Sequence, residues 1–184
     1  MSNCRAMQAF LRQKEGAGLD LFRDLLWREL WQALRLSPTS SVTRRTLDSE
    51  RAPWTGYGLM HTRDDIARIA NFLNVDHGAI NGEQVLAPNM LDSALQRLPG
   101  VQGLAVTGAA GTYYNKGFWA FDARAWFGCT DPLYIPFMSG IGGIIVALIP
   151  NGASYYYFSD SNEFSWVSGA AETARILPVA NCAP

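Results

Sequence analysis

One stretch of the chain, YIPFMSGIGGIIVALIPNGASYYYFSD at residues 134–160, constrains the fold more than any other. Its aromatic and β-branched residues fall into three short runs, separated by a Gly-Gly pair and by Pro150-Asn151-Gly152. Such residues favour extended backbone, and an Asn-Gly pair between two of these runs is typical of a hairpin. The stretch therefore predicts an antiparallel hairpin of 144–149 with 154–158, and the 134–140 segment beside it.

Three helices are predicted in the first hundred residues. Residues 19–36 show apolar side chains at helical spacing. The apolar face consists of Phe22, Leu25, Leu26, Leu30, Trp31 and Leu34. Thr62 and Asp65 have the spacing of a capping box, so we expect a second helix at about 63–74. A third helix, at about 88–98, would open on a proline, which suits the first helical turn.

From Tyr113 onward the sequence changes to a β pattern, and we expect three or four antiparallel strands in all. A terminal helix is predicted at 161–177. Its buried stripe would consist of Phe164, Val167, Ala171, Ala174 and Ile176 or Leu177. Helices, then strands, then one helix indicate an α+β fold, with an antiparallel sheet flanked by helices. We interpret residues 1–184 as a single partial domain, mainly helical over 1–100, with the sheet and the last helix in 101–184.

The charge pattern excludes several function classes. The chain has 15 basic and 16 acidic residues, scattered singly, so no basic surface for nucleic acid is predicted. The longest apolar run, residues 141–150, is too short to span a membrane. The first sixteen residues lack a basic stretch followed by an apolar one, so no signal peptide is predicted in this sequence.

The cysteines and histidines do not form a metal-binding pattern. Cys4, Cys129 and Cys182 are far apart in sequence, and the chain has only two histidines, so no zinc site or other cofactor is expected. Three unpaired cysteines are the favoured interpretation, and a Cys129–Cys182 disulfide is the alternative. We interpret His61 and His77 as surface or cap residues. Likewise, Asp64 and Asp65 are explained by favourable negative charge at a helix N-terminus.

Two blocks of the sequence resemble the C-terminal half of the penicillin-recognising serine hydrolases, which include class C β-lactamases, DD-peptidases and related esterases. The first block is WTGYGLMHTRDDIARIANFLNVDHGAINGEQVLAPNML. The second is YYNKGFWAF followed by PFMSGIGGIIVALIPNGASYYYFSD. The resemblance implies part of a β-lactamase/DD-peptidase-like (transpeptidase-like) fold. It also implies acyl transfer from a small ester or amide substrate to water, and family members are often exported.

The resemblance assigns a substrate-binding role to residues 138–141. Met138-Ser139-Gly140 matches the third motif of the family, which lies on an edge strand and lines the pocket. Ser139 would offer its hydroxyl to the substrate, Gly140 would permit close approach of the backbone, and Ile141 would supply an N–H to the oxyanion hole. Met138 stands where the family has a cationic or imidazole group, so its side chain cannot bind a substrate carboxylate.

The nucleophile motif is missing from this sequence. In the family, a serine in S-x-x-K attacks the carbonyl carbon with help from the lysine. No serine here has a lysine three residues later, and the only lysines are Lys14 and Lys116. Tyr113-Tyr114-Asn115 has the pattern of the second motif, Tyr-x-Asn, but its position in the family order predicts a sheet strand.

The resemblance therefore implies a C-terminal portion of a hydrolase that is inactive alone. The first two motifs would precede residue 1, and CRAMQAFLRQ would be the helix after the Tyr-x-Asn loop. An alternative is a catalytically dead binding or interaction module that uses the hairpin face of 134–160. A third hypothesis is a chain that complements a separate N-terminal fragment.

Overall fold

The structure, a computed structural model, describes residues 2–54, 58–98 and 100–182. Residues 55–57, which belong to the first sequence block that carries the family resemblance, lie outside this description. The chain divides into two compact units, Met1–Ile69 and Ala70–Pro184. No helix among the described residues is both long enough and apolar enough to cross a membrane.

The first unit is built from helical segments. They are α1 at Ser2–Glu15, a π-helix at Leu21–Trp31, a 3-10 turn at Pro38–Ser41 and the start of α2, which spans Arg63–Asn74. The helix expected within CRAMQAFLRQ is thus present as part of α1.

The segment predicted as a helix over 19–36 forms a shorter π-helix. Just after its end, the N–H of Gln32 donates to the carbonyl oxygen five residues back at 2.9 Å. Such a turn holds more residues than an α-helical turn. Phe22 and Trp31 consequently meet edge to face, with ring centroids 5.3 Å apart, whereas Leu25 is 41% exposed. The amphipathic helix is confirmed, but its length and part of its apolar face were predicted wrongly because α-helical spacing was assumed.

The capping box of α2 is confirmed. The N–H of Thr62 donates to Asp65 Oδ2 at 2.9 Å, and the N–H of Asp65 donates to Thr62 Oγ1 at 3.2 Å. Two backbone donors that the helix itself leaves unpaired are thereby satisfied. Asp64 and Asp65 both lie in the first turn, as their charge predicts.

The second unit contains a six-stranded antiparallel sheet whose strands lie in sequence order. They are β3 at Leu104–Ala105, β4 at Thr112–Asn115, β5 at Phe118–Asp122, β6 at Tyr134–Gly140, β7 at Ile144–Leu148 and β8 at Ser154–Phe158. A separate two-stranded hairpin pairs β1 at Ala79–Ile80 with β2 at Glu83–Gln84. The α+β class is confirmed, with more strands than the three or four predicted.

Two strands were not predicted from the sequence pattern: one of the pair β4 and β5, and β3. Lys116 and Gly117 have φ of 46° and 95°, which makes a tight turn and divides YYNKGFWAF into β4 and β5. The Tyr113-Tyr114-Asn115 segment lies in β4, so its prediction as sheet is confirmed. β3 precedes Tyr113, the residue from which the β pattern was expected to begin.

The predicted hairpin of β7 and β8 is confirmed. Ile144 pairs with Phe158 and Leu148 with Ser154, and β6 lies beside β7. In the turn, the N–H of Gly152 donates to the carbonyl of Ile149 at 3.0 Å, and Gly152 has a φ of 90°. Glycine adopts this conformation at little cost, so the turn residues fix the register of the two strands.

One face of the sheet is covered by the C-terminal segment. This segment forms α5 at Val167–Glu172 and a 3-10 turn at Thr173–Arg175, so the terminal helix predicted over 161–177 is much shorter. Trp166, Ala170 and Ala174 are buried against the sheet. The predicted stripe was partly wrong: Val167 and Ala171 are partly buried against this core, and Ala174 is buried, but Phe164, Ile176 and Leu177 are exposed.

Two shorter helices complete the second unit. α3 spans Pro88–Ala94 and α4 spans Arg124–Phe127. α3 ends before the predicted limit of Leu98 because Gln96 has a φ of 56°. The Gln96 side chain is buried, donates to the carbonyl of Phe118 at 3.3 Å and accepts from the N–H of Gly103 at 2.8 Å.

Cys129 and Cys182 form a disulfide, with Cα atoms 4.0 Å apart. The favoured interpretation of three unpaired cysteines was therefore wrong, and the alternative is correct. The bond joins the connection between α4 and β6 to the segment that leads to Cys182. That segment packs against the same core as α5. The side chain of Cys4 lies outside the described part of the structure.

Candidate functional site

Met138, Ser139 and Gly140 are the last three residues of β6. Their pairing with β7 continues to the pair of Gly140 with Ile144. Pairing with β5 ends earlier, at the pair of Phe137 with Trp119. β6 is thus an interior strand, which corrects the expectation of an edge strand. Its last three residues nevertheless extend beyond the ladder with β5, so this end of β6 is open on one side.

The predicted site residues do not share one face of the sheet. Side chains alternate along a strand, and Ser139 follows the parity of Phe137, which packs on the α5 side. Met138 lies on the opposite face. Ser139 is exposed and Met138 is half-buried. Ile141, just beyond the strand, is 87% exposed.

The turn that follows β6 is held by the loop after β8. The N–H of Gly142 donates to Asn162 Oδ1 at 3.3 Å, and the N–H of Ser159 donates to the carbonyl of Gly143 at 3.0 Å. Gly143 has a φ of 84°, and a Cβ there would lie 2.3 Å from the carbonyl oxygen of Glu163. This glycine is required by a close approach of two backbones, which keeps the open end of β6 in place.

A serine, a histidine and an aspartate that the sequence analysis left separate meet in the first unit. Ser40 Oγ lies 2.8 Å from His61 Nδ1 and donates to Asp65 Oδ2 at 3.1 Å. The His61 ring also packs edge to face on Trp31, with centroids 4.9 Å apart. His61 is therefore a half-buried member of a network and not a surface residue, whereas His77 is exposed as predicted.

This network lacks the arrangement of a catalytic triad. In a triad, the aspartate orients the histidine and the serine faces the substrate. Here Asp65 accepts from Ser40 itself and also from Ser37, and Ser40 is fully buried. A hydroxyl with no exposed surface cannot attack a substrate carbonyl. The hydrogen bonds of the network instead stabilise the N-terminus of α2.

The ionisation of the network follows from its burial. Burial raises the pKa of Asp65, but hydrogen bonds from Ser37 and Thr62 outweigh it and hold that pKa well below its usual range. Burial lowers the pKa of His61, and the nearby charge of Asp65 only partly opposes this. A neutral imidazole beside a carboxylate anion is the resulting state at neutral pH. The sequence gives no signal for this network, because Ser40 and Asp65 are distant in sequence and meet only in the folded chain.

No metal centre is found among the described residues, where no three His, Cys, Asp or Glu side chains converge. Two surface cavities of about 360 and 270 Å³ lie in the first unit. The larger is lined by Arg5 and Arg12, which pair with Asp48 and Glu50 respectively. Neither cavity includes a predicted site residue.

The chain matches no protein-family model, and no curated protein matches it.

Proposed function

We propose that this chain is the C-terminal portion of a β-lactamase-related serine hydrolase. It would contribute the substrate-binding strand but no nucleophile. The observation that best supports this proposal is the open end of β6, which contains Met138, Ser139 and Gly140. The predicted β7–β8 hairpin follows it directly. The order of the sequence blocks around this strand supports the finer assignment to a β-lactamase/DD-peptidase-like fold.

Each residue at the open end has a role in the proposal. The exposed Ser139 hydroxyl donates a hydrogen bond to an ester or amide substrate, and Gly140 lets the substrate approach the strand closely. Ile141 offers a backbone N–H toward the carbonyl oxygen that becomes negative during acyl transfer. Met138 contributes only apolar contact.

The chain alone is expected not to be acylated. A serine hydroxyl is a weak nucleophile without an adjacent base, and Ser40, which has a histidine beside it, is buried. Intact-mass spectrometry after incubation with benzylpenicillin, p-nitrophenyl acetate and a fluorophosphonate should show no adduct. A stoichiometric adduct mapped to one serine would contradict the proposal that the nucleophile is missing.

The alternative is a catalytically dead binding module that uses the same strand end and hairpin face. It is favoured by the absence of S-x-x-K from the sequence together with the well-braced turn after β6. The nucleotides upstream of the Met1 codon separate the two. Codons for an S-x-x-K followed by Tyr-x-Asn or Ser-x-Asn support the hydrolase, and non-coding sequence in every frame supports the binding module.

A further inference from the structure

The sheet ends at β8, and this edge strand lacks the usual protection. β8 is the last strand in the order of the sheet, and in the part of the chain that the structure describes it pairs only with β7. Its residues, Ser154–Phe158, include no charged side chain and no proline, and their register with β7 runs without a bulge. Folded proteins commonly protect an edge with one of these features, because unpaired backbone groups attract a further strand.

The hydrogen bonds at the two ends of the β7–β8 ladder show which residues of β8 face β7. The carbonyl oxygen of Ala153 accepts from the N–H of Ile149 at 2.9 Å, and the N–H of Ser159 donates to the carbonyl oxygen of Gly143 at 3.0 Å. Residues of an antiparallel strand direct their backbone groups alternately to one side and to the other. The odd-numbered residues of β8 therefore bond to β7.

The even-numbered residues of β8 direct their backbone groups away from β7. These residues are Ser154, Tyr156 and Phe158, and each of them is at least partly accessible to solvent. Among the described residues, no backbone hydrogen bond from another segment reaches their N–H or C=O groups. The outer edge of β8 thus offers three donors and three acceptors, in alternation, to a further strand.

The outer edge of β8 is complementary to a second copy of itself. In an antiparallel pair centred on Tyr156, this residue lies opposite the same residue of the second copy, and Ser154 lies opposite Phe158. These are the three residues whose backbone groups face outward, so each pair can exchange two hydrogen bonds. No other centre within β8 pairs all three residues, which makes the two-fold arrangement about Tyr156 the one that satisfies the edge completely.

The side chains are compatible with this pairing. Continuing the count beyond β8 places Asp160 opposite Gly152, so no two like charges face each other. Tyr156 would lie opposite its own copy and diagonal to Phe158, and cross-strand aromatic pairs stabilise a sheet. Phe158 is 51% exposed and its neighbour on β7, Ile144, is 40% exposed. A second copy at this edge would therefore also cover apolar surface.

We propose that β8 is the interface of a symmetric homodimer, in which the β8 strands of two copies pair antiparallel about Tyr156 and join the two sheets into one. A two-fold axis gives a closed assembly, because each copy uses the same edge. The paired segment is far shorter than the roughly 20–30 residues a side of a standard interface, so the dimer forms reversibly and depends on concentration. This inference concerns a different strand from β6 and does not depend on the proposed function.

Measurements on the oxidised chain at increasing concentration test the dimer. Sedimentation velocity between about 10 µM and about 1 mM, the range of a weak complex, should show a shift from the monomer mass toward twice that mass. Amide hydrogen exchange is followed in parallel by NMR on the ¹⁵N-labelled chain. Exchange should slow with concentration at Ser154, Tyr156 and Phe158. The amides of Tyr155 and Tyr157 should be protected at every concentration, because they bond to β7.

A charge swap at the two-fold axis tests the register. Tyr156→Lys places like charges opposite each other and should weaken dimerisation by at least about tenfold. Tyr156→Glu should have the same effect. An equimolar mixture of the two variants should dimerise again, because opposite charges then face each other. Leu104→Lys is the matched control: Leu104 is 82% exposed on β3, the strand at the other end of the sheet, and this variant should dimerise as the wild type does.

Each outcome supports the homodimer or overturns it. A chain that stays monomeric up to the highest concentration overturns the proposal. A dimer in which the Tyr156 amide exchanges as fast as in the monomer also overturns it, because association then uses another surface. The same holds if Tyr156→Lys dimerises as the wild type does. Recovery of the dimer in the mixture supports the proposal even if each variant melts at a lower temperature, since misfolding cannot produce it.

Discussion

A single buried carboxylate organises the polar contacts around the N-terminus of α2. Asp65 accepts from the N–H and hydroxyl of Ser37, from the hydroxyl of Ser40 and from the N–H of Thr62. A buried charge is tolerated only when hydrogen bonds replace its lost water. Here four donors do so, and His61 in turn is held by the hydroxyl of Ser40.

Replacing Asp65 by asparagine should destabilise the protein by about 2–3 kcal/mol, because buried donors then face an amide with a single acceptor oxygen. Urea denaturation at pH 7 measures the change. Asp64→Asn is the matched control: Asp64 is exposed one position earlier, so its effect should stay within about 0.5 kcal/mol.

The pH dependence gives a second check on Asp65. Its pKa is lowered in the folded state, so its ionisation contributes stability that is present above the unfolded pKa of about 3.9 and is lost as the pH falls below it. The difference in unfolding free energy between wild type and Asp65→Asn should therefore shrink in acid. A difference that stays constant down to pH 2 would contradict this role.

Because of His61, the free energy of unfolding should decrease as the pH falls from neutral to mildly acidic values. The pKa of His61 is lowered by burial, so the unfolded chain binds a proton first as the pH falls through about 6.5, which favours unfolding. Unfolding free energies measured at pH 7.5 and pH 5.5 should differ less in His61→Gln than in the wild type. His77→Gln, at an exposed position, should behave as the wild type does.

At the scale of elements, the C-terminal helix shows the limit of a periodic pattern. The apolar residues around α5 recur at helical spacing, but Trp166 is buried against Phe137 and Phe121 whereas Phe164 is 42% exposed. Spacing gives the period of a helix and not where its backbone starts. The start was predicted at 161, and the helix begins at Val167.

Trp166→Ala should therefore destabilise the protein by about 3–5 kcal/mol, since it removes a large buried aromatic from the core of the sheet. Phe164→Ala should cost far less than that. Thermal and urea unfolding of the two variants give the comparison directly. Similar losses for both would mean that the predicted stripe, and not the observed one, faces the core.

For the molecule as a whole, the disulfide is the longest-range covalent constraint. Cys129 and Cys182 are 53 residues apart in sequence, and the loop they close includes β6, β7, β8 and α5. Crosslinking a loop of this length reduces the entropy of the unfolded chain, which corresponds to about 4 kcal/mol at 25 °C in the loop-entropy model.

The double variant Cys129→Ser/Cys182→Ser should lose about 2–4 kcal/mol of unfolding free energy relative to the oxidised protein. Adding a reductant should reduce the stability of the wild type toward that of the variant and leave the variant unchanged. Equal stabilities with and without reductant would show that the bond contributes nothing.

The sequence determined the features that depend on neighbours along the chain. The hairpin turn at Asn151-Gly152, the capping box of Thr62 and Asp65 and the β character after Tyr113 were all predicted, because backbone preference and short-range hydrogen bonds fix them. The α+β class and the pairing of 144–149 with 154–158 followed from these features.

Only the tertiary structure decided which distant residues meet. The Cys129–Cys182 bond, the packing of Trp166 in place of Phe164, the contact of Ser93 with Lys116 and the open end of β6 all depend on the order and length of neighbouring strands. Turn residues fix the register of one hairpin. How far each strand extends past the next, and which helix face meets the sheet, is set by long-range packing that no local pattern records.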